Sequence, residues 1–545
     1  MNTLSILLNQ VETRSSRWLL DTPRQLQASR VRVLMGVILL IAFAIRLWEI
    51  DKLPLWYDEA YSYYAAKYND LWRLLSVPFD VHPPLYYALQ HIFLPLGEGE
   101  FQLRFLSAVI GTATVWLMFL IGREIAGPVS GLAAAGALAL TTAHIEYSQE
   151  ARSYTLVILT LALAVYGLIL YWRTQRPANG SPTTPEWADV LARPGLWLYG
   201  IGALLSLYSH MIALFFLVAI NAVLLPKCWP LQNLKQPQLV AWISINLAAL
   251  AVWLPWGYTL LTLPDRSFQW LHHYSPVEAA SSLVNVHGPS YLNGLDMALH
   301  LGFVALIGLG VLIALIRRRT TLVTLLLALL ALAPLLLWLI GFVKPVYMLR
   351  TVLPSMIGGA LALGIAAAFI RHRAALIGLS GVIFIASLMS FGDFKATQKK
   401  QDWDKVTAFL EANTGVNDAV LICANTVYLP FHYYAAPAPY TVFTFNIFHN
   451  FIVEADFERA LAQSQLPIKY RFNQPTEEAR RMIDPAGRFP DVASIGAAFD
   501  TVWVVRSQCG DKRFDIFRPD LDAAGWQAGT SSNFHRVTVT PYRTP

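Results

Sequence analysis

From residue 33 to residue 391 the chain is a succession of apolar runs of about membrane-spanning length, separated by shorter polar segments. About 20 apolar residues cross the roughly 30 Å hydrocarbon layer as a helix. Helices and closed barrels alone satisfy their own backbone polar groups in lipid. This feature dictates a polytopic α-helical membrane protein. Composition agrees: of 545 residues, 55% are apolar and 14% charged, against about 25% charged in soluble domains. The net charge of +6 sits mostly between the apolar runs, where the positive-inside rule puts it, and implies no nucleic-acid partner.

The runs divide into about eleven spans, at residues 33–48, 105–121, 129–142, 155–172, 196–208, 211–225, 240–256, 297–316, 322–342, 352–370 and 374–391. Residues 84–96 are too short to span and read as an interfacial or re-entrant helix in a first outer loop of about 49–104. That choice places Arg317, Arg318 and Arg319, and Arg371 and Arg373, on the inner side; counting 84–96 as a span would put them outside. Residues 1–32 carry Arg14, Arg17, Arg24, Arg30 and Arg32 and lack the apolar core of a signal peptide, so they read as a cytoplasmic arm. Residues 177–187 read as a polar, Pro-rich inner linker. A second long outer loop covers 261–296.

The spanning domain is therefore 33–391, followed by an ordinary soluble composition at 392–545. There, 401–415 has helical apolar spacing ending at Gly415, and 419–425, 501–507 and 535–542 read as strands, giving a small α/β domain on the outer face. The expected location is the plasma (inner) membrane, amino terminus cytoplasmic and tail periplasmic or extracellular. Cys228 falls on the inner side; Cys423 and Cys509 share the tail, as a disulfide or as two buried thiols.

Chemistry-bearing residues gather in the outer segments. Asp58 and Glu59 stand side by side among aromatic residues, Tyr61 included. Adjacent carboxylates repel, which suits a general base, although an acidic pair also serves a helix N-terminus. His82 precedes two prolines that start a helix, as a phosphate contact or a plain helix cap. Glu146, Glu150 and Arg152 form a second outer cluster, as an acceptor or second acidic site with its cation, or as an interfacial ion pair. Lys344 and Arg350 run against the inner-side charge bias, as a phosphate clamp or as snorkelling anchors. His272 and His273 could ligate metal, but no third ligand is spaced near them.

In this order, WYDEAY (56–61), HPPLYY (82–87), FQLRFLSAVIG (101–111), YSQEARSY (147–154) and Arg350 followed by Pro354 resemble the GT-C membrane glycosyltransferases. The match is to the glycosyltransferase family 39 group, which includes protein O-mannosyltransferases and lipid A aminoarabinose transferases, and it covers most of 33–370. The resemblance implies a GT-C fold and inverting transfer of one sugar from a polyprenyl-monophosphate carrier to a lipid, glycan or protein acceptor on the outer face. It makes Asp58 the base, with Glu59 completing the pair. It also implies that His82, often Lys in bacterial relatives, meets the carrier phosphate; Arg350, Lys344 and Arg152 are expected to bind the same phosphate. Val81 stands where aminoarabinose transferases carry an acidic zinc ligand, so zinc is not carried over and a divalent metal stays open. The alternative is a lipid-linked sugar transporter or flippase without transferase chemistry, for which related halves and broken mid-membrane helices are expected.

Overall fold

The computed structural model describes residues 26–76, 82–172, 186–228, 235–262, 272–288, 296–423, 427–435, 440–445, 451–453, 492–507 and 518–543. Arg14, Arg17, Arg24, Val81, Cys509 and most of the 177–187 linker lie outside them. The chain forms two compact units: Met1–Trp48, Val81–Tyr86 and Phe105–Thr397 in the first, and Glu49–Asp80, Tyr87–Arg104 and Gln398–Pro545 in the second. Most of the first outer loop, residues 49–80 and 87–104, falls in the second of these units.

All eleven expected segments fall on helices. Among the described residues, seven helices are long and apolar enough to cross a membrane. One of them, Glu100–Leu140, is two helices joined at a kink: Ala126 and Gly127 leave helical geometry, Gly127 at φ 77°, and Pro128 opens the second part, which packs back on the first through Gly122 and Gly131. Glycine tolerates that positive φ and proline is suited to a first helical turn, so the break lies between the runs ending at 121 and starting at 129. Residues 84–96 form a short helix, Leu85–Phe93, and a 3-10 turn, Leu94–Leu96. At about 1.5 Å per residue, that is far too short to span.

Small residues let the bundle pack closely. Helices Tyr154–Trp172 and Pro194–Ser209 run against each other with Gly167, Gly195 and Gly202 in the contact. A Cβ at Gly167 would lie 2.3 Å from the Tyr199 backbone nitrogen, and one at Gly202 2.5 Å from that of Ala164. With lipid as apolar as the side chains, such backbone approach is a main source of cohesion between spanning helices.

In the second unit, the tail builds a mixed sheet. Its strands are β1 (Asp418–Ile422), β2 (Thr441–Phe445), β3 (Phe451–Val453), β4 (Thr501–Arg506), β5 (Gln527–Ala528), β6 (Ser532–Phe534) and β7 (Val537–Arg543). The order is β3-β2-β1-β4-β7-β5, with β6 also paired to β7; β1 runs parallel to β2 and β4, and the other pairs are antiparallel. Central β1 is buried from Ala419 to Ile422, hence its unbroken apolar sequence. Helix Trp403–Asn413 precedes β1, and helix Tyr428–Tyr434 crosses from β1 to β2. Cys423, just beyond β1, is disulfide-bonded, and Cys228 is a free thiol.

Substituting Gly167→Ala should lower stability by about 1–3 kcal/mol through overpacking. Gly136→Ala, with nothing within 4 Å of the added Cβ, should be neutral. Thermal unfolding of both variants in nanodiscs checks the contrast.

Candidate active site

The first outer loop becomes helical at Tyr57–Lys67, with Trp56 extended as the N-cap and Asp58 and Glu59 in the first turn. Carboxylates there face the partial positive charge of the helix end. Consecutive helical positions project about 100° apart, so adjacent acids cannot share one environment. Glu59 turns inward and is fully buried; Asp58 is partly exposed.

Glu59 is bound from two directions. Arg104 Nε donates to Oε1 at 2.7 Å and Nη2 to Oε2 at 2.8 Å, while Lys400 Nζ donates to Oε2 at 2.8 Å. The remaining Arg104 donors reach the carbonyls of Ile50 and Leu53, each at 2.8 Å, and Pro54 at 3.1 Å. All five guanidinium N–H groups are thereby used, and they hold the segment leading into the helix. Burial alone would raise the Glu59 pKa; Arg104 and Lys400 outweigh it and keep the carboxylate well below its usual range. Tyr61 is buried, with its ring centroid 6.2 Å from that of Tyr57 and 6.1 Å from that of Tyr87.

The first unit carries the cations. Its loop between helices Thr142–Ser148 and Tyr154–Trp172 is tied to the end of the first spanning helix, Ala28–Leu47. Gln149 Nε2 donates towards the carbonyls of Ile45 (3.3 Å), Arg46 (3.1 Å) and Trp48 (3.0 Å). The buried Arg46 reaches Ser148 Oγ (3.2 Å), His144 Nδ1 (2.6 Å) and the carbonyls of Ala42 (2.8 Å) and Ala139 (3.3 Å). These bonds satisfy a buried guanidinium and orient the loop that presents Glu150 and Arg152.

Arg152, buried, places Nη2 3.3 Å from both ring nitrogens of His82. His82 meets His210 edge-on at 5.1 Å, and His210 lies 5.8 Å from Tyr154. Arg350 sits 5.9 Å over the Tyr154 ring, whose other neighbour is Tyr147 at 5.0 Å. Burial pushes the Tyr147 phenol up, Glu146 and Glu150 add to the shift, and Arg350 opposes it. His82, Arg152, Glu146, Glu150 and Arg350 are therefore assembled in one neighbourhood, with His210 as a member the sequence reading missed. Its signal was a lone histidine ending an apolar run, which ordinarily marks a satisfied core residue. Arg104 and Lys400 were likewise given no role; the first lies inside the FQLRFLSAVIG segment and the second just ahead of the helical segment 401–415.

Lys344 follows helix Ala333–Ile340, half-buried, with its backbone N–H bonded to Ile340 O at 2.9 Å. His272 stacks on Tyr274 at 4.9 Å, with Nε2 3.8 Å from Glu278, and His273 packs on Phe342 at 4.2 Å. Among the described residues, no three His, Cys, Asp or Glu side chains converge on a metal position.

Residues 81–181 match the dolichyl-phosphate-mannose-protein mannosyltransferase family. No curated protein gives a significant match. The fold is similar to that of ArnT from Cupriavidus metallidurans in the apo state, at a TM-score of 0.58 and 11% identity, covering 94% of this chain and 98% of that one. The same protein bound to undecaprenyl phosphate aligns at a TM-score of 0.57 and 11% identity, with the same coverage.

Removing the Glu59 charge leaves Arg104 and Lys400 facing each other, so Glu59→Gln should cost about 3–5 kcal/mol of stability. Because the folded-state pKa is depressed, the stabilisation is complete above the unfolded value of about 4.3 and is lost as pH falls below it. Melting of the wild type between pH 7 and pH 3.5 should fall more steeply than that of Glu59→Gln. Equal slopes would remove the assignment. The family match over residues 81–181 and the ArnT-like fold both support a membrane glycosyltransferase of the GT-C type.

Proposed function

We propose that the protein transfers one sugar from a polyprenyl-monophosphate carrier to an acceptor hydroxyl or phosphate on the outer face of the plasma membrane, with inversion at the anomeric carbon. The observation that carries this reading is the cationic array of the first unit, where Arg152, His82, His210 and Arg350 gather around Tyr154. Two arginines beside imidazoles and tyrosines suit a lipid monophosphate, because guanidinium matches phosphate geometry and remains charged when desolvated. ArnT from Cupriavidus metallidurans has been solved bound to undecaprenyl phosphate, which supports the same class of carrier. The family match supports a mannosyltransferase-like donor chemistry.

The two loop carboxylates divide the work. Glu59, ionised and saturated by Arg104 and Lys400, positions the helix, while the partly exposed Asp58 acts as general base. Asp58 takes the acceptor proton as the acceptor oxygen bonds to the anomeric carbon. The carbon–oxygen bond to the carrier breaks, and the polyprenyl phosphate leaves with the electron pair. Arg152, Arg350, Lys344 and His82 stabilise that charge. Glu146, Glu150 and Tyr61 remain candidates for the acceptor side. No nucleotide is required, since the carrier phosphate is itself the leaving group.

The outer-face assignment of the tail rests on the inner-side clustering of basic residues and on Cys423 being half of a disulfide, a bond favoured in oxidising compartments. The transporter alternative shares the spans, and no observation favours it over the transferase.

Asp58→Asn in nanodiscs supplied with labelled polyprenyl-phosphate sugars should reduce transfer by about 10²–10⁴ and leave carrier binding intact. Unchanged transfer would dismiss Asp58 as the base. Arg152→Ala should instead weaken carrier binding. Cysteine tags placed beside Arg318 and beside His372 should react only from the cytoplasmic side; labelling from outside would invert the topology.

A further inference from the structure

The second unit contains a cleft of about 420 Å³ that the proposed chemistry does not use. It is lined by Tyr63, Tyr64, Lys67, Tyr68, Glu98 and Gly99 from the first outer loop and by His432 and Tyr433 from the helix Tyr428–Tyr434. The volume lies at the lower end of the range for small-molecule sites. Among the described residues its lining includes no aliphatic side chain.

Charge within the cleft is already balanced. Lys67 Nζ donates to Glu98 Oε2 at 2.8 Å and to Tyr63 Oη at 2.6 Å, and Tyr63 donates to the same carboxylate oxygen at 2.5 Å. The Lys67 ammonium and the Tyr63 hydroxyl hold Glu98 below its usual carboxylate range. Among the described residues Glu98 Oε1 makes no bond, and the side chain is about half exposed. Tyr433 donates to the Glu98 carbonyl at 2.6 Å and stands edge-on to Tyr63 at 5.2 Å. Tyr64 stacks parallel on the partly exposed Tyr68 at 5.7 Å and bonds His432 Nδ1 at 2.5 Å.

A phosphate would have to displace Glu98 from the cleft's single ammonium, and an aliphatic peptide side chain would find no aliphatic wall. A neutral polyol fits. Its hydroxyls can bond a carboxylate oxygen and tyrosine hydroxyls, while its C–H faces, weakly positive, meet the negative faces of aromatic rings. We infer that this cleft binds a neutral sugar ring, as a subsite for the glycan part of the acceptor. The binding stands on the cleft itself; the acceptor role rests on the transferase reading above.

The test uses the full chain in phosphatidylethanolamine–phosphatidylglycerol nanodiscs, prepared without glycosidic detergent. Methyl α-mannoside and maltose serve as probes, beside inorganic phosphate and a soluble Ser/Thr-containing peptide. Saturation transfer from tyrosine ring protons should reach the glycosides. It should fall at least fivefold in Tyr68→Ala and in Glu98→Gln, and persist within twofold in Tyr68→Phe, all at unchanged melting temperature. Absence of the signal in the wild type, its survival in both disabling variants, or preference for the peptide or phosphate would overturn the proposal. Turnover of polyprenyl-phosphate sugar by the wild type is measured separately. Its failure with the glycoside signal intact would remove the transferase reading and the acceptor role while leaving the sugar cleft, and turnover with no variant-sensitive signal would do the reverse.

Discussion

The second unit depends on one buried carboxylate. Glu59 accepts three charge-assisted bonds from Arg104 and Lys400, residues 45 and 341 positions away in sequence. An isolated ionised group in that position would cost several kcal/mol, and two cations offset this only because every guanidinium donor also has an acceptor. The network therefore specifies a geometry more than it adds stability. It joins the entrance to the loop helix, the start of helix Glu100–Leu140 and the segment before helix Trp403–Asn413. Asp58, one residue before Glu59, inherits its placement from that joint.

A parallel device operates in the first unit. Helix Ala28–Leu47 ends with carbonyls that have no helical partner, and Gln149 bonds three of them or their neighbours, while Arg46 reaches back from the same helix to the segment carrying His144 and Ser148. A polar side chain at a spanning helix end is normally a solvation device. Here it aims a short loop, and that loop delivers Arg152 to His82. Both units thus hold candidate reactive residues through hydrogen-bonded neighbours that fix the backbone around them, as preorganised electrostatics requires.

Much of this was readable in advance. The apolar runs, the short 84–96 helix and the strands at β1, β4 and β7 all follow from local rules of length, period and backbone conformation. Lys344 and Arg350 could be suspected because cations at an outer edge run against the charge bias. The meeting of Arg350 with Arg152 around Tyr154 could not, because it depends on which turns of distant helices pack together. Partners of the first outer loop that lie far along the chain were illegible for a similar reason: Leu55 bonds Tyr434 and Glu59 bonds Lys400, and sequence adjacency gives no weight to such pairings. That the rings of His272 and His273 stack on Tyr274 and Phe342 was likewise beyond local sequence.

By itself, the order of residues determined that this chain lives in a membrane, roughly where it crosses, and that a small α/β domain follows, since hydrophobic length and periodicity are local quantities. Only the tertiary structure decided between two neighbouring acids. Glu59 is the buried anchor and Asp58 the partly exposed one, because consecutive positions on a helix face different surroundings and cations far away in the chain close on just one of them.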